Sequence, residues 1–202
     1  MSFLAASLAA LLPFGAPTQP QDEAASAWPA FSYTFLQAEY ATVDVDGLSD
    51  DPDGYALTGS FAINESFFAI VTYSDTSASV SGFDVDLDAT TLGLGYHHPL
   101  NERTDLVVMA SYVDAQLEAD GFGFSGEADD QGFSLSGGLR FWALRQLELA
   151  ANVRYIDLDE SGDDTSFGGN ALFYATRNVA VVAGVTIADD SDTFSVGLRL
   201  AL

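Results

Sequence analysis

A side-chain period of two runs along the chain from Ala30 to its end. In the closing stretch "TFSVGLRLAL", Phe194, Val196, Leu198, Leu200 and Leu202 alternate with Thr193, Ser195, Gly197, Arg199 and Ala201. Tyr55, Leu57, Gly59, Phe61 and Ile63 alternate with Ala56, Thr58, Ser60 and Ala62. Phe133, Leu135, Gly137, Leu139 and Phe141 alternate with Gly132, Ser134, Ser136, Gly138 and Arg140. Extended strands place successive side chains on opposite faces, so each segment has one large apolar face and one small or polar face. The 15 Phe, 8 Tyr and 18 Gly suit an all-β chain. No run of about 18 apolar residues is present, so no helix spans a bilayer.

Ten such segments are predicted, at roughly 31–43, 54–63, 67–75, 88–98, 104–116, 131–142, 147–157, 165–175, 178–188 and 193–202; eight strands is the rival count. The connections alternate. "NES", "PLNER", "ALRQ" and "TRN" are short, whereas "DVDGLSDDPD", "DTSASVSGFDVDLD", "DAQLEADGFGFSGEADD", "DLDESGDD" and "DDSD" are long or acidic. That rhythm predicts an up-and-down meander with tight turns at one end and loops at the other. Charge sorts the same way: 23 of the 30 acidic residues lie in or beside the long connections, while Arg103, Arg145 and Arg177 lie in short turns.

The two faces decide what surrounds the sheet. In a soluble barrel the large apolar face turns inward, and a water-facing strand carries Lys and Glu. This chain has no Lys, and its second face is mostly Gly, Ala, Ser and Thr. A lipid-spanning barrel reverses the order, with the large residues toward lipid and the small and polar ones in the lumen. The expected fold is therefore an all-β, closed, antiparallel transmembrane barrel with both termini at the short-turn end. Arg140, Arg154 and Arg199 then face the lumen with Glu39 and Glu148. We expect Glu39 near Arg199 across the closing seam, and Glu148 near Arg140 or Arg154. A secreted, soluble, ligand-binding barrel is the alternative.

A net charge of -24 repels nucleic acid and anionic membrane surfaces, so neither is expected as an electrostatic partner. With no Cys, neither a disulfide framework nor a thiolate metal site exists. Residues 1–27 read as a signal peptide: "FLAASLAALL" has the length of an apolar export core, and "ASA" before Trp28 fits a cleavage site. Residues 28–202 then form the barrel domain.

Ser195 to Leu202 read polar-x-Gly-x-x-Φ-x-Φ, with Gly197, Leu200 and Leu202 in register. This resembles the C-terminal assembly signal of bacterial outer-membrane β-barrels, although that family usually ends on an aromatic residue and this chain ends on Leu202. "YTFLQAEY" (33–40), "GYALTGSFAINESFF" (54–68) and "LGLGYHHPLNERTDLV" (92–107) resemble the small OmpA-like barrels of xanthomonad-type Gram-negative bacteria. The resemblance implies residence in the outer membrane as a monomer. It also implies contact with lipopolysaccharide and recognition by the barrel assembly machinery.

Little chemistry is expected. His97 and His98 sit beside a short turn, with His98 on the lipid side, away from the rim where barrel enzymes work, so no enzyme activity and no cofactor are predicted. Asp44, Asp46, Asp84, Asp86, Asp88, Asp157 and Asp159 form D-x-D pairs suited at most to weak binding of divalent ions, and no loop has the twelve-residue calcium pattern. Tyr40, Tyr73, Tyr96, Tyr112, Phe141, Tyr155 and Phe173 are candidates for aromatic girdles. The roles in view are a structural or surface protein with acidic outer loops, or a narrow passive pore.

Overall fold

A computed structural model describes residues 28–45, 51–80, 83–121 and 124–202. The expected signal peptide, residues 1–27, and Asp46 lie outside the described residues. Ten antiparallel strands close into a barrel: β1 (Phe35–Val45), β2 (Asp53–Ala62), β3 (Phe67–Val80), β4 (Phe83–Asn101), β5 (Thr104–Gly121), β6 (Phe124–Leu144), β7 (Leu147–Leu158), β8 (Gly162–Tyr174), β9 (Val179–Ile187) and β10 (Ser191–Ala201). Each strand pairs with its sequence neighbours, and β1 pairs with β10 from Phe35↔Ala201 to Val45↔Ser191 to complete the ring. Ten strands, rather than eight, therefore make the wall.

The alternation sorts as lipid demands. Leu36, Leu57, Phe61, Leu92, Leu94, Phe133, Leu135, Phe167, Phe194, Val196 and Leu198 all point outward and are exposed. Their inward-facing neighbours are buried: Gln37, Thr58, Ser60, Thr72, Ser134, Ser136, Thr193 and Arg199 among them. Such an apolar exterior suits hydrocarbon, and closure pairs the strand backbones that hydrocarbon cannot solvate.

Two features differ from the sequence-based expectation. Strands β3 to β6 run well into the stretches expected to be acidic loops, pairing as far as Val80↔Phe83 and Gly121↔Phe124. Carboxylates at solvated positions do not by themselves end a ladder. Here they occupy one solvated face while Leu87, Ala89, Val113 and Ala115 keep packing inside against Ile156 and Leu158. The second difference is at the start: β1 begins at Phe35 rather than at residue 31. Phe31 and Tyr33 instead turn into the short-turn mouth and are buried there.

Leu198 lies mid-strand on β10, is 59% exposed, and faces Ala38 across the seam. Leu198→Arg should destabilise the barrel by about 2–4 kcal/mol, the cost of arginine at the bilayer midplane. Urea unfolding of protein refolded into lipid vesicles measures this.

Candidate functional site

The lumen is the candidate site, and it is filled in layers. At the loop end sits the cluster of Leu87, Ala89, Val113, Ala115, Ile156 and Leu158. At the turn end a larger cluster includes Tyr33, Phe35, Phe68, Met109, Trp142, Leu172 and Tyr174. The interior of a ten-strand ring is wider than that of the eight-strand ring that side chains just fill. Aromatics, arginines and the buried Phe31 and Tyr33 ahead of β1 occupy the extra width.

Arg140 and Glu148 form the central ion pair. Their strands are joined by the short turn after Leu144, and the register places Arg140 beside Ala150 and Glu148 beside Trp142. Arg140 Nε donates to Glu148 Oε1 at 2.7 Å, and Nη2 lies 2.6 Å from the same oxygen. Both residues are 0% exposed. Tyr174 Oη donates to Glu148 Oε2 at 3.3 Å. Arg154 lies higher in the lumen, its Nη2 donating to Ser134 Oγ at 3.3 Å.

At the seam, Arg199 faces Gln37, and Glu39 faces Gly197. Arg199 Nε donates to Gln37 Oε1 at 2.5 Å, and Gln37 Nε2 donates on to Glu39 Oε2 at 2.6 Å. Ser195 Oγ reaches the other carboxylate oxygen at 3.0 Å. Gln37 thus stands between Glu39 and Arg199 as a relay. Gly197 is required by close approach: a Cβ there would lie 2.1 Å from the Ala38 carbonyl oxygen. Leu200 and Leu202 point outward on the same strand end.

The turn-end mouth holds a group of residues that the sequence reading did not assemble. Tyr33 Oη donates to Asp105 Oδ2 at 2.8 Å and stacks on His97 with ring centroids 3.7 Å apart. His97 Nδ1 lies 3.3 Å from the same Asp105 oxygen. Arg140 Nη1 donates to the Ser32 carbonyl at 3.2 Å, and Ser60 Oγ donates to that of Tyr33 at 3.0 Å. Phe31 stacks on Trp142 at 5.5 Å, and the Arg103 guanidinium lies 3.9 Å from the centre of the Trp28 ring. His97 and Asp105 therefore clasp the segment ahead of β1. His98 is exposed on the outer face. The dense aromatics Trp28, Phe31 and Tyr33 were the available signal.

The acidic residues do not gather as ligands: among the described residues no cluster could hold a metal ion. They stand in cross-strand rows, Asp44 opposite Asp192, Asp84 opposite Asp120, and Asp157 opposite Asp163. Asp88 accepts from Tyr73 on the neighbouring strand, Asp75 accepts from Tyr55 at 3.1 Å, and Asp53 from Tyr40 at 2.9 Å. Tyr112 donates to Gln131. These tyrosines climb from strand to strand at the loop end, while Phe67, Tyr96, Phe141 and Phe173 are exposed near the turn end.

Beyond the tyrosine row, Asp130 caps the turn between β7 and β8. Its Oδ1 accepts the Glu160 N–H at 3.1 Å and its Oδ2 the Ser161 N–H at 2.8 Å. Gly162 ends that turn at φ +85°, a conformation that disfavours a Cβ. Burial disfavours the Asp130 charge, but the Ser161 hydroxyl and the N–H groups of Glu160, Ser161 and Gln131 outweigh it, so its pKa falls below the usual 3.8.

Two outcomes are expected. Arg140→Ala leaves Glu148 buried without its ion partner and should cost about 3–5 kcal/mol, whereas Arg140→Met with Glu148→Leu should recover much of that. A double-mutant cycle on vesicle-refolded protein measures both. Because the folded state lowers the Asp130 pKa, the cap stabilises fully above 3.8 and is lost as pH falls through the lower folded value. Hydrogen-exchange protection of Glu160 and Ser161, taken relative to the intrinsic rate at each pH, should fall over that window, and Asp130→Asn should abolish that change in protection.

The family model described as "Outer membrane protein beta-barrel domain" matches residues 6–199. The solved NanC porin is similar at a TM-score of 0.53 and 7% identity, over 83% of this chain and 100% of that one. Neisserial surface protein A (NspA) is similar at 0.48 and 16% identity, over 85% and 98% of the two chains. Ail, the attachment invasion locus protein of Yersinia pestis, is similar at 0.46 and 17% identity, over 83% and 97%. No curated protein matches the sequence. At 7% identity the likeness to the NanC porin is one of fold alone.

Proposed function

The chain belongs to the outer membrane protein β-barrel domain family and resides in the outer membrane, and on that premise we propose a structural, cell-surface role with the lumen closed. The carrying observation is the filled interior. Arg140, Glu148, Phe35, Phe68 and Arg199 are all at most 1% exposed, with apolar clusters above and below the charge layer. A wetted channel would leave its charged lining accessible to solvent. The buried ion pair instead cross-links neighbouring strands, and the clasped N-terminal segment packs Phe31 and Tyr33 into the turn-end mouth. His97 and Asp105 are engaged with Tyr33, which supports a structural rather than catalytic use of that pair.

In this reading the short turns are periplasmic and the acidic strand extensions stand outside the cell, as in barrels with short periplasmic turns. The tyrosine–aspartate row then meets the lipopolysaccharide headgroups. Gly197, Leu200 and Leu202 on the final strand are the features offered to the barrel assembly machinery.

The chain has no Cys, which makes single-cysteine labelling clean. Asp120→Cys should react with a membrane-impermeant maleimide on intact cells, and Arg145→Cys only after the outer membrane is opened. In planar bilayers the purified protein should show no steady conductance. Stable, cation-selective steps would replace the structural reading with the narrow passive pore.

A further inference from the structure

The strand extensions leave one backbone edge open. β5 and β6 stay paired out to Gly121↔Phe124, but β6 pairs with β7 only from Gly132↔Leu158 inward. Above Gln131 the outer side of β6 therefore has no neighbouring strand among the described residues. The side each residue presents can be read from one bond. Asp159 N–H donates to the Gln131 carbonyl, so Gln131 turns its backbone groups toward the β7 side. In an antiparallel strand the direction alternates, so Ser125, Glu127 and Asp129 turn theirs to the same open side, while Gly126, Ala128 and Asp130 face β5. Residues 125 to 129 are all exposed.

The side chains beside that edge are acidic and stand in rows. Asp86 faces Glu118, which faces Glu127; Asp84 faces Asp120; Asp88 and Asp129 flank Gln116 from either side. Like charges directly opposite one another destabilise a sheet, and a cationic neighbour relieves them. The same rows repel a second copy of the chain, because edge-to-edge pairing would set Glu127 and Asp129 against their equals. We propose that the β6 edge from Ser125 to Asp129 is a docking site for an extended, Lys- or Arg-rich polypeptide segment, which adds to the sheet as a further strand. Main-chain hydrogen bonds to Ser125, Glu127 and Asp129 hold the segment, and its basic side chains lie over the acidic rows. Asp130 sets the lower limit of the site, because its carboxylate occupies the Gln131 N–H at 2.9 Å and ties the β7–β8 turn across the edge.

The proposal rests on the surface reading only for the compartment that supplies the peptide. Binding to purified barrel in neutral detergent micelles tests the edge alone, so failure there leaves the orientation intact. The probe is a short synthetic peptide alternating lysine with threonine and valine, followed by fluorescence anisotropy. Its control carries N-methyl groups on alternate amides, which keeps the charge and removes the donors. Glu127→Pro removes an edge N–H that β5 does not use, and Glu127→Gln removes only the charge. Heat-modifiable gel mobility reports that each barrel is folded, and Ser125→Pro reads the same edge if Glu127→Pro does not fold. The unmodified peptide should bind the parent protein. Glu127→Pro and peptide methylation should each weaken binding by about tenfold or more, and Glu127→Gln by only about threefold. No binding of the unmodified peptide overturns the proposal. So does equal binding of the methylated peptide, or equal affinity for Glu127→Pro and Glu127→Gln, since charge alone would then account for the contact.

Discussion

The pairing of β1 with β10 is the interaction on which the rest of the structure depends. Hydrocarbon offers no partner to a backbone N–H or C=O, so an open ten-strand sheet would carry two edges that lipid cannot satisfy. Closing the seam between Phe35↔Ala201 and Val45↔Ser191 removes both within the membrane. Once closed, the pleat fixes an inside and an outside for every residue on every strand. The seam also needs close approach, which Gly197 allows beneath the Ala38 carbonyl. The fate of Arg199, the burial of Gln37 and the line of exposed leucines all follow from this one register.

The interior then behaves as a core with an unusual composition. Apolar residues cover the outside, so the inside must be filled by what remains: serines, threonines, aromatics and a few long charged side chains. Arg140 and Glu148 satisfy each other where water is excluded, and Phe31 and Tyr33 lie against the same guanidinium, 4.8 and 4.9 Å from their ring centres. Buried ion pairs add little net stability over apolar packing of the same shape. Their effect here is directional, since losing either partner is far worse than replacing both.

The wall was legible in the sequence because period two is a local property, and "TFSVGLRLAL" shows it without knowledge of any neighbour. Glu148 was readable as a neighbour of Arg140 or Arg154 for a similar reason, since a short turn joins β6 and β7, and the register brings it to Arg140. The seam is different. Whether Arg199 meets Glu39 or Gln37 depends on the stagger of the whole ring, which no single segment encodes, and the chain places Gln37 opposite. The long strands were hidden by composition. "DVDLD" reads as a solvated loop by its charges, yet its alternate residues Val85 and Leu87 continue the inward face. The clasp on Trp28–Thr34 was hidden by distance, because Tyr33 meets Asp105 and Ser32 meets Arg140, 72 and 108 residues further along the chain.

That clasp imposes an order of events on assembly. Phe31 and Tyr33, ahead of the first strand, end up inside a ring that the last strand closes. Tyr33 bonds to a residue of β5 and Ser32 to a residue of β6, so these contacts wait until half the wall exists. They lie just inside the mouth, on the segment that runs directly into β1, the strand that β10 meets at the seam. The barrel is therefore completed at two places, with Phe31 and Tyr33 filling the opening and β10 sealing the side.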